Sequence, residues 1–337
     1  MQVMENKSRK KIVLLGTGGT IAGLASSVHD TVGYTAAQLG VDQLIRALPQ
    51  PLGWACELVS EQIAQIDSKN MRFDIWYRLA QRCEDLMAQA DVQAVVITHG
   101  TDTLEETAYF LHAVLTRSQP GSKPVVLTGA MRPASALMPD GPQNLLDALT
   151  LAAHPGASGV MVVFAGTIHS ALEVQKIHPY RLDAFDSGDA GALGYVEAGL
   201  IRMVRGAWPG VAGDAAPGGA MRSVKAGWPR VEIIMSYAGA SASLVEGLLA
   251  HGLASDDPVR GIVVAGTGNG GLHEALESAL LRAQADGVRV VRATRCSAGR
   301  VLVGANDAIP DSAGLSPVKA RIALMLRLMA AGAGAGA

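Results

Sequence analysis

The sequence predicts an α/β protein in which a large N-terminal parallel-sheet domain precedes a smaller C-terminal α/β domain. Three observations predict it. Short runs of Val, Ile and Leu alternate with segments of helical period. The runs are apolar almost throughout instead of at every second residue, which is how strands covered on both faces read. The chain has 337 residues and is 49% hydrophobic, more than one core usually holds.

The expected strands of the first domain are Lys11–Leu15, Trp54–Val59, Val92–Ile97, Lys123–Thr128 and Val160–Phe164. Between the second and third strands, Ile75, Leu79, Arg82 and Leu86 step by three or four, with Cys83 beside Leu79 on one helix face. Thr103-Leu104-Glu105-Glu106 reads as a capping box that starts the next helix. Asp140-Gly141-Pro142 supplies an acidic cap and an early proline for another. From 206 to 228 the chain turns rich in Gly, Ala and Pro and loses its periodicity, as a connector does. Alternation then resumes with strands at Val231–Met235, Gly261–Ala265 and Val288–Ala293 and helices at Leu272–Ala285 and Pro317–Ala331, the last with Ser316 as its expected cap. The expected organisation is therefore an N-terminal α/β domain at 1–205, a linker at 206–228, a smaller α/β domain at 229–331 and a flexible low-complexity tail at 332–337.

Composition excludes several function classes. With 28 Lys+Arg against 30 Asp+Glu the net charge is −2, so the basic footprint of a nucleic-acid or anionic-membrane binder is absent. Aromatic residues are 4%, too few for base-stacking platforms. No apolar run reaches the roughly 18 residues of a membrane helix. Lys7, Arg9, Lys10 and Lys11 precede Ile12-Val13-Leu14-Leu15, but that run ends in Gly and Thr, well short of the ~7–15 residues of a secretory signal. Cys56, Cys83 and Cys296 are odd in number and far apart, which gives neither a disulfide framework nor a metal pair. A cytoplasmic location is expected. The sequence contains no HExxH, GxSxG or GxxxxGK[ST] motif, and neither a metal nor any other cofactor is expected.

In an open parallel sheet, ligands bind beyond the carboxyl ends of the strands. Three post-strand loops stand out there. Gly16–Gly23 surrounds Thr20 with glycines that permit close backbone approach; it reads equally as a tight strand-to-helix turn. Thr98–Thr103 places Thr101 and Asp102 before a helix whose free N–H groups favour an anion or a developing oxyanion. Since Thr103 already caps that helix, the two extra polar residues suggest another purpose. Gly266-x-Gly268-x-x-Gly271 follows a strand and opens a helix, the context of a dinucleotide fingerprint. Asp286 has the right distance but the wrong place for a ribose acid. The following strand offers Arg292 and Arg295 instead, so an NADP-dependent reductase is the alternative function.

GTGGTIAG at 16–23, ITHGTDTLEETAYFL at 97–111 and VVLTGAMRPASALMPDGPQNLLDA at 125–148 resemble the bacterial-type L-asparaginases. The resemblance continues through GVMVVFAGTIHSALEVQK at 159–176 and GIVVAGTGNGGLHEAL at 261–276, and so spans about Ile12 to Ala331. It implies hydrolysis of the side-chain amide of L-asparagine through an acyl-enzyme. Position by position, it implies Thr20 as the nucleophile; Thr101, Asp102 and Lys176 as a second threonine with its partners; and Tyr34 on a loop that closes over the site. Asp67 and Ser68 would hold the substrate α-carboxylate, and the Ala130 backbone an oxyanion contact. Asn269 would be lent to a neighbouring subunit's site, which implies a homodimer or homotetramer. The chain departs from the family twice. Lys69 stands where Gln or Ser is common, and the acidic residue that would hold the substrate amino group has no clear match, with Asp307 as its possible substitute.

The chemistry fits these residue types. A threonine hydroxyl is a poor nucleophile at neutral pH and must be activated by a base or a cation. A desolvated lysine oriented by a carboxylate can accept its proton. Which threonine attacks is open from the residues alone; the glycine surroundings of Thr20 favour it as the more open of the two.

Overall fold

The computed structural model describes residues 10–48, 56–115, 123–206, 208, 227–305 and 307–334. The chain forms two compact units, Met1–Gly213 and Asp214–Ala337. The division falls within the expected linker at 206–228, which lies almost wholly outside the described residues.

In the first unit, β1 (Lys11–Gly18), β2 (Glu57–Ile66), β3 (Val92–Thr98), β4 (Val125–Thr128) and β5 (Val160–Phe164) pair in parallel. They answer to the five expected strands. The largest boundary difference is at β2, which extends to Ile66. Its sequence, ELVSEQIAQI, is half-buried and interrupted by Ser60, Glu61, Gln62 and Gln65, so beyond Val59 it carries no apolar run to read.

The sheet is not parallel throughout. β6 (Thr167–Ser170), β9 (Gly194–Glu197) and β10 (Leu200–Met203) join it antiparallel. The cause is two Ala-Gly turns. Ala165 (φ 47°) and Gly166 (φ 73°) reverse the chain between β5 and β6, and Ala198 (φ 50°) and Gly199 (φ 77°) do so between β9 and β10. Two successive left-handed residues make the tight turn whose twist matches a hairpin. β7 (Gln175–Lys176) and β8 (Phe185–Asp186) form a separate ribbon.

The strand order is β10-β9-β6-β5-β4-β3-β1-β2. Helices α1 (Val41–Arg46) and α4 (Gly141–Ala153) bury Val41, Leu44, Leu145 and Leu149 in one cluster with Ile12, Leu14, Val96 and Val126. Successive strand residues point to opposite faces. Val13, Leu15, Val95 and Ile97 therefore face the side where α2 (Phe73–Ala88) and α3 (Leu104–Leu115) pack on the sheet.

In the second unit, β11 (Arg230–Met235), β12 (Val259–Gly266) and β13 (Arg289–Thr294) form a parallel sheet in that order. α5 (Ser243–Ala254), not foreseen from sequence, α6 (Glu274–Ala285) and α7 (Pro317–Gly334) accompany it. Ile234, Val245, Ile262, Val264, Leu276 and Leu280 form its core. Two expectations are corrected here. α7 continues through Gly334, into the segment expected to be a tail from 332; its alanines sustain the helix past the apolar pattern. Ser316 precedes α7 as expected, but its hydroxyl is buried without a hydrogen-bond partner among the described residues, so it supplies no side-chain cap.

Candidate active site

The strand order reverses between β1 and β3: the chain leaves β1 for β2 on one side and returns to β3 on the other. Such a switch point opens a crevice at the carboxyl ends of its strands. The loop after β1 carries Thr20 and the loop after β3 carries Thr101, so topology alone brings the two threonine motifs to one place.

Backbone contact joins them. A Cβ on Gly19 would lie 2.3 Å from Gly100 Cα, and one on Gly100 would lie 2.5 Å from Ser68 Oγ. Gly18 and Gly19 have φ of 103° and 82°, and Gly18 presses on Ile66. These glycines permit chain-to-chain approach and do not leave open space. Both threonines are nearly buried, Thr20 at 7% exposure and Thr101 at 4%, so the glycines serve close packing and exposure hardly separates the two hydroxyls.

Thr20 begins a short 3-10 turn, Thr20–Ala22, and its hydroxyl shares a hydrogen bond with Tyr34 Oη at 2.7 Å. The Tyr34 ring lies against Gly23, and the loop between them is tied at its base by reciprocal backbone hydrogen bonds between Leu24 and Thr35. Farther along this loop, Asp30 accepts from the Val32 and Gly33 N–H groups, which hold its carboxyl below the usual range. Thr31 shares a hydrogen bond with Tyr180. Burial raises the Tyr34 phenol above its ordinary value, and the Asp102 and Asp67 carboxylates add to that. The phenol is thus neutral at physiological pH and within electrostatic reach of both carboxylates.

On the facing loop, Lys176 Nζ donates to Thr101 Oγ1 at 2.9 Å and to Asp102 Oδ1 at 2.7 Å. Its backbone N–H donates to Glu105, and the β7–β8 ribbon presents it. Ser68, after β2, links the loops: its Oγ accepts from Asp102 N and its carbonyl accepts from Thr103 Oγ1. Asp67 forms an ion pair with Lys69 at 3.0 Å, so the departure at 69 is turned toward its neighbour. Asp67 raises the Lys69 ammonium, with smaller contributions from Asp102 and Tyr34.

Behind Thr101, the buried imidazole of His99 is pushed down to about 4 by burial. Nδ1 meets the Gly100 carbonyl at 2.7 Å and Nε2 meets Thr107 Oγ1 at 2.9 Å. A carbonyl only accepts, so the proton sits on Nδ1, and Thr107, itself bonded by Trp76 Nε1, donates to Nε2. After β4, Ala130 is wholly buried, and a Cβ on the preceding Gly129 would lie 3.4 Å from Thr101 Cγ2. Gly141, opening α4, approaches both Ile21 and Ala130. Thr20, Tyr34, Asp67, Ser68, Thr101, Asp102, Ala130 and Lys176 thus lie on loops of the first unit that touch one another.

Two anticipated residues lie in the second unit with local partners. The Asn269 amide bonds both peptide groups of Leu302. Asp307 pairs with Arg292 of β13 and accepts from Gly304 N, which lowers its carboxyl; the proposed substitute acid is engaged within the second unit. The Gly266–Gly271 loop is not a phosphate cradle. Thr267 and Gly271 exchange both backbone hydrogen bonds, so those donors are spent on closing the turn. α6 starts only at Glu274 with Glu274 and Glu277 in its first turn, where they repel an anion. The reductase alternative loses its binding element. Glu105, Asp140, Asn144 and His99 were not singled out for the site from the sequence, or were read only as helix caps. Pattern gives no sign of Glu105 or His99, whereas the Asp140–Asn144 spacing of one helical turn was readable.

Comparison with known proteins agrees with this geometry. Residues 11–208 match the family model described as asparaginase, N-terminal, and residues 230–333 match that of the glutaminase/asparaginase C-terminal domain. L-asparaginase 2 of Bacillus subtilis strain 168 is 37% identical, covering 96% of this chain and 84% of that protein. Glutaminase-asparaginase of Pseudomonas fluorescens biotype A is 34% identical over 96% and 88%. The crystal structure of a probable cytoplasmic L-asparaginase from Campylobacter jejuni superposes with a TM-score of 0.84 at 40% identity, covering 95% of each chain. With both its parts matched and relatives this similar over nearly its full length, the chain belongs to the asparaginase family.

Proposed function

We propose that this protein is an L-asparaginase that hydrolyses the side-chain amide of L-asparagine to L-aspartate and ammonia through a threonyl ester. One observation supports the reading: the Thr20–Tyr34 pair and the Thr101–Lys176–Asp102 chain stand on loops joined by the Gly19–Gly100 contact, which lets two hydroxyls serve one amide. Thr20 Oγ attacks the amide carbon, and its C–O bond forms as the hydroxyl proton leaves. Tyr34 Oη orients that hydroxyl. The Thr101–Lys176–Asp102 chain moves the proton that the departing nitrogen takes up. Ammonia leaves, the ester is hydrolysed by water, and the threonine proton is restored.

Contact of the neighbouring Gly129 with Thr101 supports a role for the Ala130 peptide in meeting the reacting amide. Losing one donor aimed at a developing oxyanion costs on the order of 3 kcal/mol of barrier. Asp67 and Ser68, with Lys69 beside them, supply polar handles for the α-carboxylate and α-ammonium. The family match supports a homodimer or homotetramer in which Asn269 reaches a neighbour's site. The Campylobacter relative, described as a probable cytoplasmic L-asparaginase, supports a cytoplasmic location.

The test is ammonia release from L-asparagine, L-glutamine and D-asparagine side by side, followed by rapid quenching and peptide mapping. Release from L-asparagine with an aspartyl adduct on Thr20 is expected. An adduct on Thr101 with Thr20 untouched reverses the assignment, and no ammonia from L-asparagine removes the reading.

A further inference from the structure

The peptide that carries Ala130 is gripped from behind. Asn144, on the first turns of α4 and 2% exposed, makes three bonds with its side chain. Nδ2 donates to the Gly129 carbonyl at 3.1 Å and to Asp140 Oδ2 at 3.1 Å, while Oδ1 accepts from Ala165 N at 3.0 Å. Asp140 in turn accepts from Met131 N and Arg132 N, both at 2.9 Å. It stands at the α4 N-terminus as expected, but its carboxylate is spent on this loop and not on capping the helix.

These bonds take up the polar groups on either side of Ala130. Among the described residues nothing engages the N–H or carbonyl of Ala130 itself, although the residue is wholly buried. Buried peptide groups are almost always paired. Here the partners hold the Gly129 carbonyl and the Met131 and Arg132 N–H groups, which fixes the peptide planes on both sides of Ala130 and leaves its own N–H and carbonyl unengaged.

We infer that Asn144, acting through Asp140 and Gly129, is a positioning residue that fixes the Ala130 peptide for the reacting amide. The inference rests on the proposed amidase reading for its kinetic consequence but not for its geometry. Positioning by side chains away from the chemistry matters because about 1 Å of misplacement can cost ~100-fold in rate. Ala165, which Asn144 also binds, is held at φ 47°, so the same amide helps fix the β5–β6 turn.

The experiment compares Asn144→Ala, Asn144→Asp and the unaltered enzyme by hydrogen exchange of the peptide covering 129–132 and by steady-state kinetics on L-asparagine. Asn144→Ala is expected to exchange faster at 129–132 and to lose roughly 100-fold in kcat, with KM and L-aspartate binding within about threefold. Asn144→Asp keeps the volume and the acceptor for Ala165 but turns an oxygen toward the Gly129 carbonyl and the Asp140 carboxylate. It is expected to be at least as impaired as Asn144→Ala. Should it not fold, Asp140→Asn, which loses acceptor capacity for Met131 and Arg132, is expected to show the same kcat loss. Unchanged exchange at 129–132 overturns the inference whatever the activity, and so does an Asn144→Asp enzyme as active as the unaltered one. Failure of the unaltered enzyme to release ammonia would count against the proposed function and leave the exchange result standing.

Discussion

The glycine-rich loops after β1 and β12 look alike in sequence and behave oppositely. Gly16–Gly23 is pressed against the next strand loops and delivers a buried hydroxyl to a neighbouring phenol. Gly266–Gly271 folds onto itself, with Gly266 against Gly270 and its peptide groups consumed by Thr267 and Gly271. Glycine content marks where backbone comes close. What it comes close to decides the chemistry, and that depends on the strand order.

Breaking the first loop's chemistry should give the largest effects. Thr20→Ala and Thr101→Val are each expected to lower kcat by on the order of 10⁴-fold or more with the far-UV spectrum unchanged, since residues acting as one unit are each indispensable. Lys176→Met is expected to lower kcat by roughly 10³-fold while Tm moves little. Near-normal turnover in that variant would remove the lysine from the proton path.

The comparison sharpens with one methyl in each loop. Gly19→Ala forces a Cβ into Gly100 at positive φ and is expected to cost about 2–5 kcal/mol of stability and most of the activity. Gly268→Ala, at φ 48° with open space around its Cβ, is expected to cost about 1 kcal/mol and leave the rate within twofold. Denaturant titration with parallel rate measurements checks both. Equal damage at the two sites would contradict the contrast.

An effect confined to acid pH concerns His99, which braces the Thr101 loop. The folded chain keeps it neutral to about pH 4, against 6.5 for a free imidazole. The folded value lies below the unfolded one, so this contribution is complete above pH 6.5. It declines as pH falls toward 4, at up to about 1.4 kcal/mol per pH unit. Asp147, raised to about 6 by burial, acts in the opposite sense below that pH, so the informative quantity is a difference between variants. His99→Gln is expected to flatten the stability loss between pH 6.5 and 4, read by urea unfolding. An unchanged slope would show that the imidazole titrates freely in the folded chain.

The central sheet was legible because its strands are covered on both faces and read as apolar runs, as Ile12–Leu15 and Val160–Phe164 do. Its antiparallel edge was not: Thr167–Ser170 and Leu200–Met203 are four residues each, too short for a period. The two Ala-Gly pairs that start those hairpins were the available signal. α5 was also readable in principle, since Val245, Leu248, Leu249 and Gly252 share a face. In the site, Thr20, Thr101 and Asp102 stood out through their loops. Lys176 and Tyr34 came only with the family resemblance, because a lysine on a two-residue strand and a tyrosine on a loop leave no pattern of their own. Asn144 was hidden for another reason: its bonds run to backbone groups of the turns after β4 and β5, and which turns adjoin α4 is a property of the folded sheet.

The most direct test of the account is a crystal structure with L-aspartate bound. It should show the side-chain carboxylate of one aspartate touching both Thr20 Oγ1 and Thr101 Oγ1, with the α-carboxylate at Ser68. An aspartate that reaches only one of those hydroxyls, with the other turned to a separate cavity, would contradict the claim that both act on one bond.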